Sequence, residues 1–252
     1  MYCWCITWGK WIRIYPVPFR NLPYAEQYKK YDRIKVDLER NTSDFRQESY
    51  RSHLKENNTI EVMGHLETGK NHDWLGRKDI VLKEVFTSVA DWVKLAKEQK
   101  KSLATLKPTE IIDFVIENDE RQWQPQEREQ LQQLKLFDSF GNIVQAGQST
   151  QVTREVIRKL PYKFYYRFLA AGDSNPRKLM IEDWEIGALY WNCLNNSGGD
   201  EKAAKQLVRQ KYFDEFVNSG NKDLYLFLGT TKVNHNIAPN PFIIIGVFYS
   251  PS

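Results

Sequence analysis

Residues 242–249 read FIIIGVFY, and this run indicates a β-strand that is buried on both faces. Its β-branched and aromatic residues favour an extended chain. Polar and apolar residues do not alternate along it, as they would in a strand with one face in water. The run is therefore predicted to be a central strand of a sheet.

A second strand is predicted at residues 161–168, which read PYKFYYRF. Successive side chains of a strand point to opposite faces. The aromatic face consists of Tyr162, Phe164, Tyr166 and Phe168. Because Lys163 and Arg167 alternate with these rings, the opposite face is expected to be wet.

Helices are predicted where a capping residue precedes an apolar stripe. Ser88 and Asp91 have the spacing of a capping box, so a helix is expected to follow Ser88. Asp200 is expected to cap another helix, and residues 183–194 to form a third, with acids in its first turn. The sequence therefore predicts an α+β fold, with a mixed β-sheet and packed helices.

The chain is expected to form two lobes. Residues 138–153 combine two glycines with Gln, Ser and Thr and carry little charge, which is typical of a linker or long loop. The N-terminal α+β lobe would span residues 1–137 and the C-terminal lobe residues 154–252. The order expected in the C-terminal lobe is strand, helix, helix, strand, strand.

The composition is that of a folded protein. Of 252 residues, 41% are apolar and 13% aromatic, which favours a sizeable core over disorder. Three cysteines leave one unpaired, which favours a reducing compartment. The first residues lack the features of a signal peptide, and no apolar run is long enough to span a membrane. A cytoplasmic protein without a membrane partner is expected.

Most of the surplus charge lies in residues 10–40, called here the basic-aromatic stretch. It reads KWIRIYPVPFRNLPYAEQYKKYDRIKVDLER, with eight basic and four acidic residues, a surplus equal to the net charge of +4. Cations interleaved with flat rings suit a ligand that carries phosphates and stackable bases. In the alternative interpretation, the rings fill the core and the cations extend into water.

The stretch predicts a nucleic-acid-binding protein, for DNA or RNA, that is a component of a larger prokaryotic assembly. Phosphate contacts are expected from Arg13, Arg20, Lys29, Lys30, Arg33 and Lys35. Bases are expected to stack on Tyr15, Phe19, Tyr28 and Tyr31. The polar residues 41–58 are expected to form an exposed loop in which Arg46 and Arg51 are further candidates.

Two other functions remain open. A Mg²⁺-dependent nuclease gathers carboxylates at strand ends, and the candidates are Asp37 and Glu39 on a predicted strand Arg33–Arg40, and Asp113. Mg²⁺ is the only cofactor that this alternative requires, and no other cofactor or metal site is predicted. The third function is that of a protein-interaction subunit whose surface aromatics anchor a partner chain.

Sequence motifs favour none of the common nucleotide or hydrolase chemistries. The patterns GxxxxGK[ST], GxGxxG, HExxH and GxSxG are absent. Cys3 and Cys5 form a C-x-C pair, but no second pair has the spacing of a zinc site. The functional prediction therefore depends on the basic-aromatic stretch alone.

Overall fold

The structure is a computed structural model that describes residues 3–7, 10–15, 28–52, 60–126, 158–218, 220 and 222–251, with backbone alone at 3–6 and 52. It confirms the predicted α+β class, because helices pack against both mixed and antiparallel sheets.

The first strands of the chain form a four-stranded and a two-stranded sheet. The strands are β1 (Cys3–Thr7), β2 (Lys10–Ile14), β3 (Asp32–Lys35), β4 (Leu38–Arg40), β5 (Ser49–Ser52) and β6 (Glu61–His65). The larger sheet has the order β1-β2-β5-β4, with β2 and β5 parallel, and β3 pairs with β6 antiparallel. A small apolar cluster formed by Ile12, Ile14 and Ile60, with Ile34 packed against it, joins the two sheets.

The later strands form two further sheets. They are β7 (Val85–Phe86), β8 (Leu103–Leu106), β9 (Glu110–Asn118), β10 (Tyr162–Leu169), β11 (Arg177–Met180), β12 (Lys222–Thr230) and β13 (Phe242–Pro251). One sheet has the order β13-β12-β8-β7 and the other β11-β10-β9. An isolated bridge between Ile181 and Ile244 joins them, and Glu182 N donates to Ile244 O at 2.7 Å.

Four α-helices are described, and three begin where the sequence predicts. They are α1 (Leu75–Val81), α2 (Val89–Gln99), α3 (Trp184–Asn196) and α4 (Glu201–Arg209), and α4 continues into a π-helical turn at Gln210–Glu215. Ser88, Asp183 and Asp200 accept hydrogen bonds from backbone N–H groups in the first turns of α2, α3 and α4. None of the described helices has the length and apolar character needed to cross a membrane.

The aromatic face of β10 lies at the centre of the main core, as its alternation predicts. Phe164, Tyr166 and Phe168 are at most 1% exposed. The ring of Phe164 stacks on that of Phe114 in β9, with 5.8 Å between centroids. The ring of Tyr190 in α3 also packs in this cluster, with its centroid 6.3 Å from that of Phe164. Rings of this size each remove 150–250 Å² from water, so they dominate the stability of the core.

Two predicted strands differ from the structure. The alternating residues 33–40 form two strands in different sheets, because β3 pairs with β6 whereas β4 pairs with β5. The run FIIIGVFY is buried on both faces as predicted, but β13 ends its sheet. The bridge at Ile244 covers part of that edge, which explains why an end strand can be so apolar.

The division into two lobes stays a prediction. The predicted linker at residues 138–153 lies outside the described residues. The strands on either side of it, β9 and β10, pair with each other from Glu110–Leu169 to Asn118–Tyr162. The two predicted lobes therefore share this sheet, and they also share the β13-β12-β8-β7 sheet, in which β8 pairs with β12.

Replacing Phe164 with Ala tests the importance of this aromatic core. Loss of a ring that is 1% exposed removes apolar burial and leaves a cavity, so unfolding should become easier by about 3–5 kcal/mol. Arg167→Ala, on the exposed face of the same strand, should change stability by less than about 0.5 kcal/mol. Urea unfolding measures both, and equal effects would contradict the assignment of the two faces.

Candidate functional site

The structure divides the cations of the basic-aromatic stretch between buried and exposed positions. Arg13 is 1% exposed, and Lys30 is partly buried against Glu185. Of the predicted phosphate contacts, Lys29, Arg33 and Lys35 are exposed, and Lys10 and Arg40 of the stretch are exposed as well. Arg20 lies outside the described residues. The exposed members can meet a large ligand at the surface, whereas the enclosed guanidinium of Arg13 cannot.

Arg13 is enclosed by polar groups from distant parts of the chain. Its Nη1 donates to Ser49 Oγ at 3.3 Å and to Ser102 Oγ at 3.0 Å. Its Nη2 donates to Thr230 O at 3.2 Å. Ser102 in turn donates to the carboxylate of Glu48, from its N at 2.8 Å and its Oγ at 3.1 Å. A negative charge therefore lies one hydroxyl away from the buried guanidinium, which makes its burial tolerable.

A second buried arginine, Arg46, shares the same carbonyl acceptor. Its Nη1 donates to Thr230 O at 2.6 Å, and its Nε and Nη2 donate to the two carboxylate oxygens of Asp44 at 2.9 and 2.6 Å. Ser49 Oγ also donates to Asp44, at 2.7 Å. We call this network the polar seam, formed by Arg13, Asp44, Arg46, Glu48, Ser49, Ser102 and Thr230. The prediction of an exposed loop is wrong at Arg46, which is 3% exposed.

Two opposing effects act on the carboxyl of Asp44. Burial disfavours its charged form and is the largest single effect. The hydrogen bonds from Arg46 and Ser49 together outweigh burial, so the pKa of Asp44 lies well below its usual value. The carboxyl of Asp44 is therefore charged at neutral pH.

Lys30 reaches from the basic-aromatic stretch to the start of α3. Its Nζ donates to Glu185 Oε2 at 2.6 Å and to Val247 O at 3.4 Å. Beside it, Asp183 is 8% exposed, and within the described residues its Oδ2 has no hydrogen-bond partner. Burial, reinforced by the charge of Glu185 and opposed by that of Lys30, raises the pKa of Asp183 to about 7. Lys30 therefore forms an ion pair with Glu185 within the fold, beside the carboxyl of Asp183, whose pKa is about 7.

The rings of the stretch are likewise engaged. Tyr15 and Tyr28 are half-buried, and Tyr28 packs against the small N-terminal apolar cluster. The guanidinium carbon of Arg77 lies 3.9 Å from the ring centroid of Tyr31, covering one of its faces. Phe19 lies outside the described residues. The structure leaves the predicted stacking role of these rings untested.

Next to the start of β3 lies a cluster of side chains from residues with strained backbone. Tyr31 and Trp74 have φ of 71° and 61°, in the left-handed region that bulky residues rarely adopt. Arg77 lies against both rings and its Nη2 is 3.2 Å from His65 Nε2. The other ring nitrogen of His65 lies 2.6 Å from Asp32 Oδ1. Asp32 is therefore held by His65 through Oδ1 and by the backbone N of Lys29 through Oδ2, so part of its charge acts on Lys29.

Lys29, Arg33 and Lys35 remain as an exposed group along β3, called here the β3 cations. Within the described ranges no carboxylate lies at ion-pair distance from any of them. Glu61 is the cross-strand neighbour of Lys35 and does not form an ion pair with it. The charges of this group are therefore available to a ligand.

The carboxylates of the nuclease alternative are dispersed. Asp37 lies in the connection between β3 and β4. Glu39 forms an exposed ion pair with Arg51, and Asp113 accepts from Arg209 Nη2 at 2.9 Å. In the part of the chain that the structure describes, no three His, Cys, Asp or Glu side chains are grouped to hold a metal ion.

Comparison with known protein families gives two matches, and the residues of the polar seam are divided between them. The model of a domain of unknown function, DUF8757, matches residues 85–252. The chain belongs to this family. The model of a second domain of unknown function, DUF8758, matches residues 5–83. Comparison with curated proteins gives no match, and comparison with solved structures gives none either.

The polar seam therefore joins the DUF8758 region to the DUF8757 region. Arg13, Asp44 and Arg46 belong to the first, and Ser102 and Thr230 to the second. Sequence reasoning missed the seam, because the hydrogen bonds from Arg13 span 89 and 217 residues. The available signal was the pair of acids at positions 44 and 48 beside Arg46, in a segment that otherwise reads as polar loop.

Breaking the buried Asp44–Arg46 pair should destabilise the join between the DUF8758 and DUF8757 regions. Arg46→Met leaves a buried carboxylate without its main partner, so the free energy of unfolding should fall by about 3–5 kcal/mol. The double variant Asp44→Asn/Arg46→Met should lose less than the sum of the two single variants. Arg51→Met, which breaks an exposed pair, should cost about 1 kcal/mol or less in the same urea titration.

Asp183 should make the DUF8757 region less stable as pH rises. The folded-state pKa is about 7, against an ordinary value of 3.8, so between these values the folded protein holds a proton that the unfolded chain releases. The stabilisation is complete below about pH 4 and is lost towards pH 7. Asp183→Asn keeps the cap and removes the charge, so it should stabilise the protein at pH 8 by on the order of 2 kcal/mol, and less at pH 4.

A matched control for this titration is Asp200→Asn, the same change at the exposed cap of α4. Its effect on the thermal midpoint should be small and similar at pH 4 and pH 8. Parallel pH profiles for wild type and Asp183→Asn would contradict the assignment.

Proposed function

We propose that this protein binds nucleic acid through the β3 cations, Lys29, Arg33 and Lys35. The observation that carries the proposal is that these three exposed cations lie together with no carboxylate at ion-pair distance among the described residues. Some other cations of the chain are neutralised locally, for example Lys178 by Glu117 at 2.5 Å and Arg177 by Asp173 at 2.5 Å. Uncompensated surface cations supply the sequence-independent part of nucleic-acid affinity.

The strand geometry suits a phosphate backbone. Arg33 and Lys35 are two residues apart on β3 and share its exposed face, so their Cα atoms are about 7 Å apart. Two phosphate steps along one nucleic-acid strand cover a similar axial length, at about 3.4 Å each. Lys29 lies just before the strand, where its backbone N donates to Asp32 Oδ2 at 2.6 Å. This bond and the one from Asp32 N to Lys29 O, at 3.1 Å, fix the turn that precedes β3.

Two exposed apolar side chains lie on β6, the strand that pairs with β3. Val62 and Met63 are 45% and 55% exposed, and Val62 lies opposite Ile34, on the face of β3 away from Arg33 and Lys35. The same exposed pair would serve a protein-interaction subunit, so the test below includes that outcome.

Charge reversal of the β3 cations tests the proposal. Binding of labelled single- and double-stranded DNA and RNA is measured by fluorescence anisotropy from 50 to 300 mM salt. The variant Lys29→Glu/Arg33→Glu/Lys35→Glu should bind at least tenfold more weakly. The slope of log K against log salt concentration should be smaller in magnitude by about 2–3 in this variant. Each phosphate contact that is lost reduces the magnitude of the slope by about 0.7–0.9.

The control variant, Lys83→Glu/Lys97→Glu/Lys202→Glu, makes the same change in net charge at scattered exposed lysines. It should keep most of the wild-type affinity and salt slope. Equal losses in both variants would mean that net charge alone drives binding. No binding by the wild type at 50 mM salt, together with co-purification of a stoichiometric protein lost on Met63→Asp, would favour the protein-interaction alternative.

A further inference from the structure

A small cleft opens on the polar seam, away from the β3 cations. It has a volume of about 140 Å³, roughly the room of four to five water molecules at about 30 Å³ each. Its lining consists of Arg13, Tyr15, Asn41, Ser43, Asp44, Arg46, Ser49, Tyr50 and Lys232. This seam cleft takes its walls from both family regions, since Lys232 follows β12 and the other lining residues precede residue 83.

Positive charge predominates among the lining residues that the structure describes. They include three cations, Arg13, Arg46 and Lys232, and one carboxylate, Asp44, which is bonded to Arg46. The carboxylate of Glu48 lies outside the lining and is directed at Ser102. The two guanidinium groups are at least 97% buried, so their charges are weakly screened by water. An anion in the cleft would gain from charges that are already desolvated.

The seam cleft also offers donors in a fixed arrangement. Lys232 Nζ uses one of its three N–H groups on Ser43 O at 2.8 Å and is otherwise exposed. The loop that carries Lys232 is anchored by His235, which is fully buried and held between Thr230 Oγ1 and Ala96 O at 2.8 and 3.0 Å. The lysine is therefore set at the cleft by a rigid support, as recognition of a small ion requires.

We propose that the seam cleft binds a phosphate group. Lys232 would supply the net positive charge and contact the phosphate oxygens at the mouth of the cleft, and Arg13 and Arg46, whose charges are offset by Glu48 and Asp44, would line it. The five non-hydrogen atoms of a phosphate match the volume of the cleft. The group can come from inorganic phosphate, from a nucleotide or from the terminus of a nucleic acid. This site is independent of the β3 cations and does not need them to function.

The test uses calorimetric titration of the full chain with sodium phosphate at constant ionic strength, with sodium chloride as the reference. Phosphate should bind with a dissociation constant in the millimolar range or below, and should raise the thermal midpoint relative to chloride. Lys232→Gln should weaken phosphate binding about tenfold while leaving the thermal midpoint without phosphate unchanged, because the side chain is exposed. Lys97→Gln, at an exposed lysine of α2, should bind phosphate as the wild type does.

Further titrations distinguish the sources of the phosphate group. Adenosine 5′-phosphate that binds at least tenfold more tightly than inorganic phosphate indicates a nucleotide. A 5′-phosphorylated oligonucleotide that binds at least tenfold more tightly than its 5′-hydroxyl form indicates a nucleic-acid terminus. Similar affinities for all phosphates indicate the free ion, and each of these three results supports the site.

Other results would overturn the proposal. They are equal effects of phosphate and chloride on the wild type, and phosphate affinity that is unchanged in Lys232→Gln. Loss of phosphate binding in the charge-reversed β3 variant would place the anion site on β3 instead. Failure of that variant's nucleic-acid test with intact phosphate binding would reject the proposed function and leave the seam cleft standing.

Discussion

The carbonyl oxygen of Thr230 accepts hydrogen bonds from two buried arginines, and the join between the two family regions depends on this acceptor. Arg13 approaches it at 3.2 Å and Arg46 at 2.6 Å. Both arginines come from the DUF8758 region, whereas the carbonyl ends β12 of the DUF8757 region. Hydrogen bonds to charged groups are strong and directional, so this acceptor fixes the orientation of one region on the other as well as their distance.

An aromatic contact between Trp11 and Phe227 of β12 also connects the two family regions. The ring of Trp11 lies 4.8 Å from that of Phe227, and its Nε1 donates to Thr105 Oγ1 at 3.1 Å. Nearby, Trp74 packs against Phe248 and keeps its left-handed backbone. Strain of this kind costs of order 1–3 kcal/mol and persists only where the surroundings impose it. Trp11 and Trp74 thus contribute to an interface between the two family regions.

Local patterns predict the parts of the fold that local interactions decide. The caps at Ser88, Asp183 and Asp200 locate three helices, because a side-chain acceptor and the N–H groups that it satisfies are two or three residues apart. Alternation predicts β10 for the same reason. The break of residues 33–40 into β3 and β4 could not be predicted, since it depends on pairing with two other strands.

The candidate site shows the same limit. Composition located the stretch that contains Lys29, Arg33 and Lys35, but it could not separate them from Arg13 and Lys30. Burial of Arg13 depends on Ser102 and Thr230, and the ion pair of Lys30 depends on Glu185, 155 residues away. The sequence around a cation does not show which distant residues it will pair with. Surface charge is what remains after distant carboxylates and carbonyls have been paired.

The pairing of β9 with β10 has a practical consequence for work with this protein. Asn118 and Tyr162 are direct cross-strand neighbours, so the connection between them leaves and re-enters the sheet at points about 5 Å apart. The pairing of the two strands holds the ends of this connection together. Doubling the length of such a connection raises the entropic cost of closing the loop on folding by only about 0.6 kcal/mol. A fluorescent reporter or an affinity handle inserted between these strands would be tethered at both ends to paired strands of the core, and the first and last residues of the chain would stay unmodified.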